Sequence, residues 1–215
     1  MVKLPPSFWL IAPYAAWMAL MTLLPATVDG YAVRTAVVAA LLAMAWQGRK
    51  TKDERREPCL SSAVSCPPVS FVSCLTSSLL PGLLIGLAVF VMWILPEQFD
   101  WAWYRTFCII GEGGTQAVAE ASAAMIVVRL VGSAFVISVA EELFFRKWLI
   151  GFAGFWWMVG LFAVEHDRWL VAALCGMIYG WLYLRKGLLS AIIAHATTNL
   201  VLGLWVLKTG QWQFW

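Results

Sequence analysis

The run MIVVRLVGSAFVISVAEELFFRK, residues 125–147, decides how this chain folds and poses its central question. From Met125 to Ala140 it reads as apolar helix broken by one arginine, and it then carries Glu141, Glu142 and Arg146 within two turns. On an insertion scale each charge at the centre of a bilayer helix costs about 2.5–3.5 kcal/mol, less toward the ends. Such a cluster either lies among the headgroups or has work to do.

The rest of the chain is written in the same apolar alphabet. It is 215 residues long, 62% hydrophobic and only 13% charged, with 14 tryptophans, and this composition excludes an ordinary soluble domain. Stretches long enough to span, at about 20 residues each, fall near 8–25, 31–47, 73–95, 121–146, 155–166 with its flanks, 169–184 and 188–207. The expected fold is all-α, a polytopic transmembrane bundle of about seven helices with a polar cavity in its cytoplasmic half. The lipid bilayer is its solvent, and no nucleic-acid partner is expected.

Charge placement sets the expected orientation. Lys3 and the basic segment Gly48–Arg56 flank the first helical pair on one side, while residues 96–120 carry Glu97, Asp100, Glu112 and Glu120 against Arg105. Basic flanks stay cytoplasmic, so the N-terminus is expected inside, and Arg146 with Lys147 and Arg185 with Lys186 return to the same side. The first apolar run is long and lacks a good cleavage signal, so it reads as a retained helix rather than a signal peptide. Five cysteines, Cys59, Cys66, Cys74, Cys108 and Cys175, form no CxxC pair and read as reduced packing residues. Residues 1–70 read as an accessory helical pair with a basic loop, 71–207 as the working core and 208–215 as a tail. The Ser/Pro-rich stretch 61–78 reads as a linker running into the third helix.

The chain has only two histidines, and both fall in its last third. His166 closes Phe162-Ala-Val-Glu-His166; His195 opens His195-Ala-Thr-Thr-Asn199, which puts His195 and Asn199 on one helical face. Glu142 and Arg146 stand in the same i, i+4 relation. If Arg146 and Lys147 mark the membrane surface, Glu141 lies roughly 8 Å in at 1.5 Å per residue, and His195, counted from Arg185 and Lys186, roughly 14 Å. For His166 to reach a comparable depth, roughly 17 Å, the chain must turn in Gly151-Phe-Ala-Gly154 and start a short helix at Phe155.

Each patch alone has an ordinary reading. Glu-x-x-x-Arg at a helix end is usually a flanking ion pair, His166 beside Asp167 and Arg168 fits an interface, and His195 with Asn199 could serve interhelical hydrogen bonding. Their coincidence in depth points instead to a shared polar interior, and ionisable groups inside a membrane mark function by default.

Glu141-Glu142-x-x-x-Arg146, Phe162-x-x-x-His166 and His195-x-x-x-Asn199, in that order, resemble the three motifs of the CAAX prenyl endopeptidase and bacteriocin-processing family of intramembrane proteases. The resemblance covers about residues 120–205 and includes the approach Gly180–His195. It implies a helical bundle opening toward the cytoplasmic leaflet and a membrane-associated protein or peptide as substrate. It also implies roles: Glu141 as general base on a water that His166 binds and polarises, His195 and Asn199 as donors to the oxyanion, Glu142 and Arg146 as structural support. No cofactor is implied. The small size and short loops suggest a prokaryotic member in the cytoplasmic membrane.

The chemistry accords with those residue types. A carboxylate withdrawn from bulk water is pushed toward the neutral range where a general base works, and a fixed donor to a developing oxyanion is worth about 10²–10³ in rate. Two differences from the family pattern stand out: Glu165 precedes His166 where an apolar residue is usual, and the gap between the first two motifs is short. Glu141, His166 and His195 also form a possible zinc set of two histidines and one carboxylate, which leaves a zinc-dependent version of the protease open. A non-catalytic immunity or scaffold protein and a proton-coupled transporter are the alternatives from other classes. The chain has no H-E-x-x-H, its four aspartates are too scattered for a dyad, and Ser190 and His195 face different sides of one helix. Gly111-Glu-Gly-Gly114 lacks the Lys and Ser/Thr of a phosphate loop and reads as an external turn.

Overall fold

Long apolar segments separated by prolines, glycines and charges become helices because a chain in lipid must satisfy its backbone polar groups internally. A computed structural model of the chain describes residues 5–25, 27–50, 68–110 and 122–214. Lys3, most of the basic loop, the start of the Ser/Pro linker with Cys59 and Cys66, and Gly111–Gly114 lie outside the described residues. In chain order the helices are α1 (Phe8–Leu23), α2 (Val28–Lys50), α3 (Pro68–Gln98), α4 (Ala102–Cys108), α5 (Ala123–Ala153), α6 (Phe155–Val164), α7 (Trp169–Lys186) and α8 (Leu188–Thr209), followed by one 3₁₀ turn, Trp212–Phe214. No strand occurs among the described residues.

Four of these helices contain segments long and apolar enough to cross a membrane: Asp29–Gln47, Thr76–Gln98, Ala123–Ala153 and Leu188–Thr209. The chain is thus an integral membrane protein in composition and in helix length. α1 and α6 are apolar but shorter. The helix that sequence reading omits is α4, a short segment that buries Tyr104 and Cys108 four apart while Trp103 and Phe107 stay exposed. The helix at the end of the Ser/Pro stretch begins at Pro68, earlier than a linker to residue 78 would allow; proline suits a first helical turn, where its missing N–H has no partner to lose.

Two features of α5 depart from the expected geometry. Arg146 is not at its end: the helix continues to Ala153, and the Arg146 side chain is 0% exposed. The depth count from Arg146 therefore starts from a buried residue. α5 also widens into two π-helical stretches, Gly132–Ile137 and Glu142–Leu149, which change the facing of the residues on either side of Glu141. The expected turn is present: α5 stops at Gly154, whose φ of 95° and ψ of 169° lie where side chains are excluded, and α6 starts at Phe155.

α8 occupies the middle, touching α3, α5 and α7. Its approach to α3 is close enough to require glycine, because a Cβ on Gly86 would stand 2.5 Å from the Ala194 carbonyl oxygen. The accessory pair is no detached unit: Tyr14 of α1 stacks on Phe144 of α5 at 4.4 Å, and Tyr31 of α2 lies against Gly132.

Candidate active site

The three motifs meet in one cavity of about 180 Å³, walled by Glu141 and Ser133 of α5, Phe162 and His166, Cys175 and Tyr179 of α7, and His195, Thr198 and Asn199 of α8. Trp93 of α3, Leu202, Gly203 and Phe214 complete the wall. Counted along α8, the cavity runs from His195 to Gly203 and so away from Arg185 and Lys186. One end is polar and ionisable; the other is apolar.

His195 is the best-held group. Its Nδ1 lies 2.8 Å from Glu142 Oε1, its Nε2 lies 3.7 Å from Glu141 Oε2, and its ring stacks on Tyr179 at 5.2 Å. A carboxylate can only accept, so Nδ1 carries the proton and Nε2 faces Glu141. Tyr179 is fixed in turn: its hydroxyl donates to Thr198 Oγ1 at 2.6 Å, and the Thr198 hydroxyl reaches the Gly86 carbonyl at 2.8 Å. This chain crosses α7, α8 and α3, and it explains why α3 must come so close.

Glu142 does more than support the helix end. It sits between His195 and Arg146, whose Nε is 3.1 Å from Glu142 Oε2, with both side chains fully buried. The Arg146 guanidinium lies 4.4 Å from the Phe162 ring centre and 5.5 Å from that of Tyr179, so aromatic faces replace water around the charge. Glu141, by contrast, is partly exposed to the cavity, and its Oε2 has no hydrogen-bond partner among protein groups.

Asn199 does not hang free. Its amide nitrogen donates to the Ser133 carbonyl at 3.0 Å and to Ser138 Oγ at 3.1 Å, while the Ser138 hydroxyl itself donates to Ser133 O at 2.9 Å. Donation from Asn199 to an oxyanion requires that one of these bonds be exchanged. Ser133 lies within the first π-helical stretch and Ser138 directly follows it, so the wider turn accompanies this cross-helix bond.

His166 lies in the turn after α6. Its Nδ1 is 2.8 Å from the Phe162 carbonyl, which accepts only, so the neutral ring offers the Nε2 lone pair. The ring packs edge-on against Trp93 at 5.8 Å. Sequence reasoning found Glu141, Glu142, Arg146, His166, His195 and Asn199, and the structure brings all six to one place. It missed Ser138, Tyr179, Thr198 and Trp93. Ser138 was legible in principle, since it precedes Glu142 by one helical turn; Trp93 and Thr198 are ordinary residues of apolar helices until the packing is known.

Among the described residues no group of three or more His, Cys, Asp and Glu could hold a metal ion. His195 gives Nδ1 to Glu142 and His166 gives Nδ1 to a backbone carbonyl, so in each ring Nε2 is the nitrogen left for other chemistry.

Residues 123–201 match a protein-family model described as Rce1-like, type II CAAX prenyl endopeptidase Rce1-like. The matched segment begins with α5 and ends two residues beyond Asn199, so it contains all three motifs. No curated protein and no solved structure matches the chain.

Proposed function

We propose that this chain is a glutamate-dependent intramembrane endopeptidase that hydrolyses a peptide bond of a membrane-associated protein or peptide, a reading supported by the match of residues 123–201 to the Rce1-like model of type II CAAX prenyl endopeptidases. The observation that carries this reading is the pairing of Glu141, whose Oε2 has no protein hydrogen bond, with His195 Nε2 at 3.7 Å on the wall of the cavity. That spacing is too wide for a direct hydrogen bond, so neither atom is committed to the other.

In this mechanism Glu141 takes a proton from a water that attacks the scissile carbonyl. His166 Nε2 accepts from the same water and orients it, since Nδ1 is committed to Phe162 O. The carbonyl oxygen becomes an oxyanion beside His195 Nε2, which donates to it when the ring enters the cycle as an imidazolium and keeps both protons throughout, Nδ1–H on Glu142 and Nε2–H on the oxyanion. Glu142 and Arg146 stand behind the ring as a buried pair, Arg146 Nε 3.1 Å from Glu142 Oε2. Asn199 adds a donor by releasing its bond to Ser138. The tetrahedral intermediate collapses as Glu141 returns its proton to the leaving amine.

The basic residues at the ends of α2 and α7 support an N-terminus on the cytoplasmic side, and the small core fits a prokaryotic cytoplasmic membrane. The test compares peptide termini in membranes of cells expressing the native chain or Glu141→Gln at equal abundance. Termini that vanish in the variant establish proteolysis and identify the substrate. If no terminus differs while the variant still performs the protein's cellular task, a scaffold or immunity role replaces the enzyme; proton-linked solute flux would point to a transporter.

A further inference from the structure

Tyr14 lies in α1, outside the matched core, yet it touches two of the three motifs. Its ring stacks on Phe144 at 4.4 Å and meets Phe145 edge-on at 5.2 Å, both on α5 between Glu142 and Arg146. Its hydroxyl donates to Glu165 Oε1, in the residue directly before His166. The second oxygen of Glu165 is buried with no hydrogen-bond partner, so the phenol is the contact that fixes this carboxylate. Phe145 in turn packs edge-on against Phe162, whose carbonyl holds His166.

The neighbouring residues of the turn are tied down as well, each to a different element. Ile110 N–H donates to the Asp167 carbonyl at 2.8 Å, Arg168 pairs with Glu97 of α3 at 2.5 Å, and Trp169 Nε1 donates to the Phe107 carbonyl of α4 at 3.0 Å. Glu165 is the one member of this set anchored from the α5 side, and therefore the one that fixes the turn relative to Glu141. A half-buried carboxylate with one inaccessible oxygen is costly unless it is bonded, which makes its presence beside His166 informative.

We propose that Tyr14 and Glu165 form a positioning pair through which the N-terminal helix holds His166 at its working distance from Glu141. The inference rests on the endopeptidase reading. It makes α1 part of the catalytic apparatus, and it gives Glu165, the charged residue where an apolar one is usual, a partner and a purpose.

The test measures cleavage of the Glu141-dependent substrate by the full chain in membranes. Tyr14→Phe is expected to lower kcat about tenfold with KM unchanged, and Glu165→Leu to do the same. Glu165→Gln, which keeps an acceptor oxygen for the phenol, is expected to retain most of the rate. The double variant Tyr14→Phe with Glu165→Leu is expected to be no slower than either single one. Multiplying effects in the double variant, or a full rate in Tyr14→Phe, would overturn the pairing. Should Glu141→Gln cleave as well as the native chain, the endopeptidase reading falls by itself. The contact is then decided by photocross-linking from Tyr14→benzoylphenylalanine: a link to the peptide containing Glu165 upholds it, and its absence refutes it.

Discussion

His195 stands within a continuous helix of 22 residues, gripped by side chains from α5 and α7, whereas His166 stands in a turn after a helix of only 10, gripped mainly by its own backbone. The first is built into a network: Glu142, Arg146 and Tyr179 are fully or nearly fully buried around it. The second is held by where its turn is tied. An imidazole that must donate to a transient charge profits from a fixed carboxylate behind it, while one that must accept from a water profits from a fixed tautomer and little else. The two histidines should therefore respond differently to damage: His195 through stability and rate together, His166 through rate alone.

Glu141 faces both, and its loss should have the largest effect on rate. Glu141→Gln keeps the shape and removes the base, with an expected fall of about 10²–10⁴ in kcat and no loss of fold, measured by cleavage of the terminus-mapped substrate and by thermal unfolding in detergent. A variant that cleaved at the native rate would erase the comparison, because neither histidine would then serve a base at Glu141.

Glu142→Ala attacks the network around His195. It leaves Arg146 as an uncompensated buried charge, for which about 3–5 kcal/mol of destabilisation is expected, together with loss of activity. Replacing Glu142 and Arg146 together by well-packed apolar residues should recover much of the stability and none of the activity. If Glu142→Ala unfolded no earlier than the native chain, the buried pair would not be what anchors the His195 side.

His166→Ala sharpens the contrast from the other side. Its ring makes one hydrogen bond, to the Phe162 carbonyl of α6, and ring contacts with Phe162 and Trp93, so unfolding should move by no more than about 1 kcal/mol. Cleavage should nevertheless fall by about 10² if His166 holds the attacking water. Equal destabilisation in His166→Ala and His195→Ala would contradict the division of labour.

The same contrast governs how much could be read in advance. His195 and Asn199 were legible because counting by four along an unbroken apolar helix fixes both depth and facing. His166 was legible only through Gly151 and Gly154, since without a turn there the chain would carry it across the bilayer. The error in placing Arg146 has a physical cause: an arginine at the end of an apolar run usually marks the headgroups, and only packing against Phe162 and Tyr179 lets it lie inside. The contacts of Ser138, Thr198 and Trp93 depend on which helices become neighbours and on the π-helical stretches of α5, and sequence periodicity encodes neither. The match over residues 123–201 likewise bears on the core and leaves Tyr14 to the structure.

The smallest expected effect isolates the turn from everything it touches. A Cβ built on Gly154 meets nothing within 4 Å, and the same holds for Gly160 inside α6, so neither substitution to alanine creates a clash. They differ only in backbone: Gly154 has φ of 95°, while Gly160 is helical. Gly160→Ala should stabilise by about 0.5–1 kcal/mol through the unfolded chain's lost freedom, and leave cleavage unchanged. Gly154→Ala should destabilise by about 1–3 kcal/mol and lower kcat, because relaxing the turn swings α6 and with it His166, while His195 on its own helix stays in place. Unfolding curves and cleavage rates for this pair of alanines separate the geometry of the chain from the chemistry of its side chains. If Gly154→Ala keeps full activity, the position of His166 is set by the contacts of its own turn and not by the bend that α6 starts from.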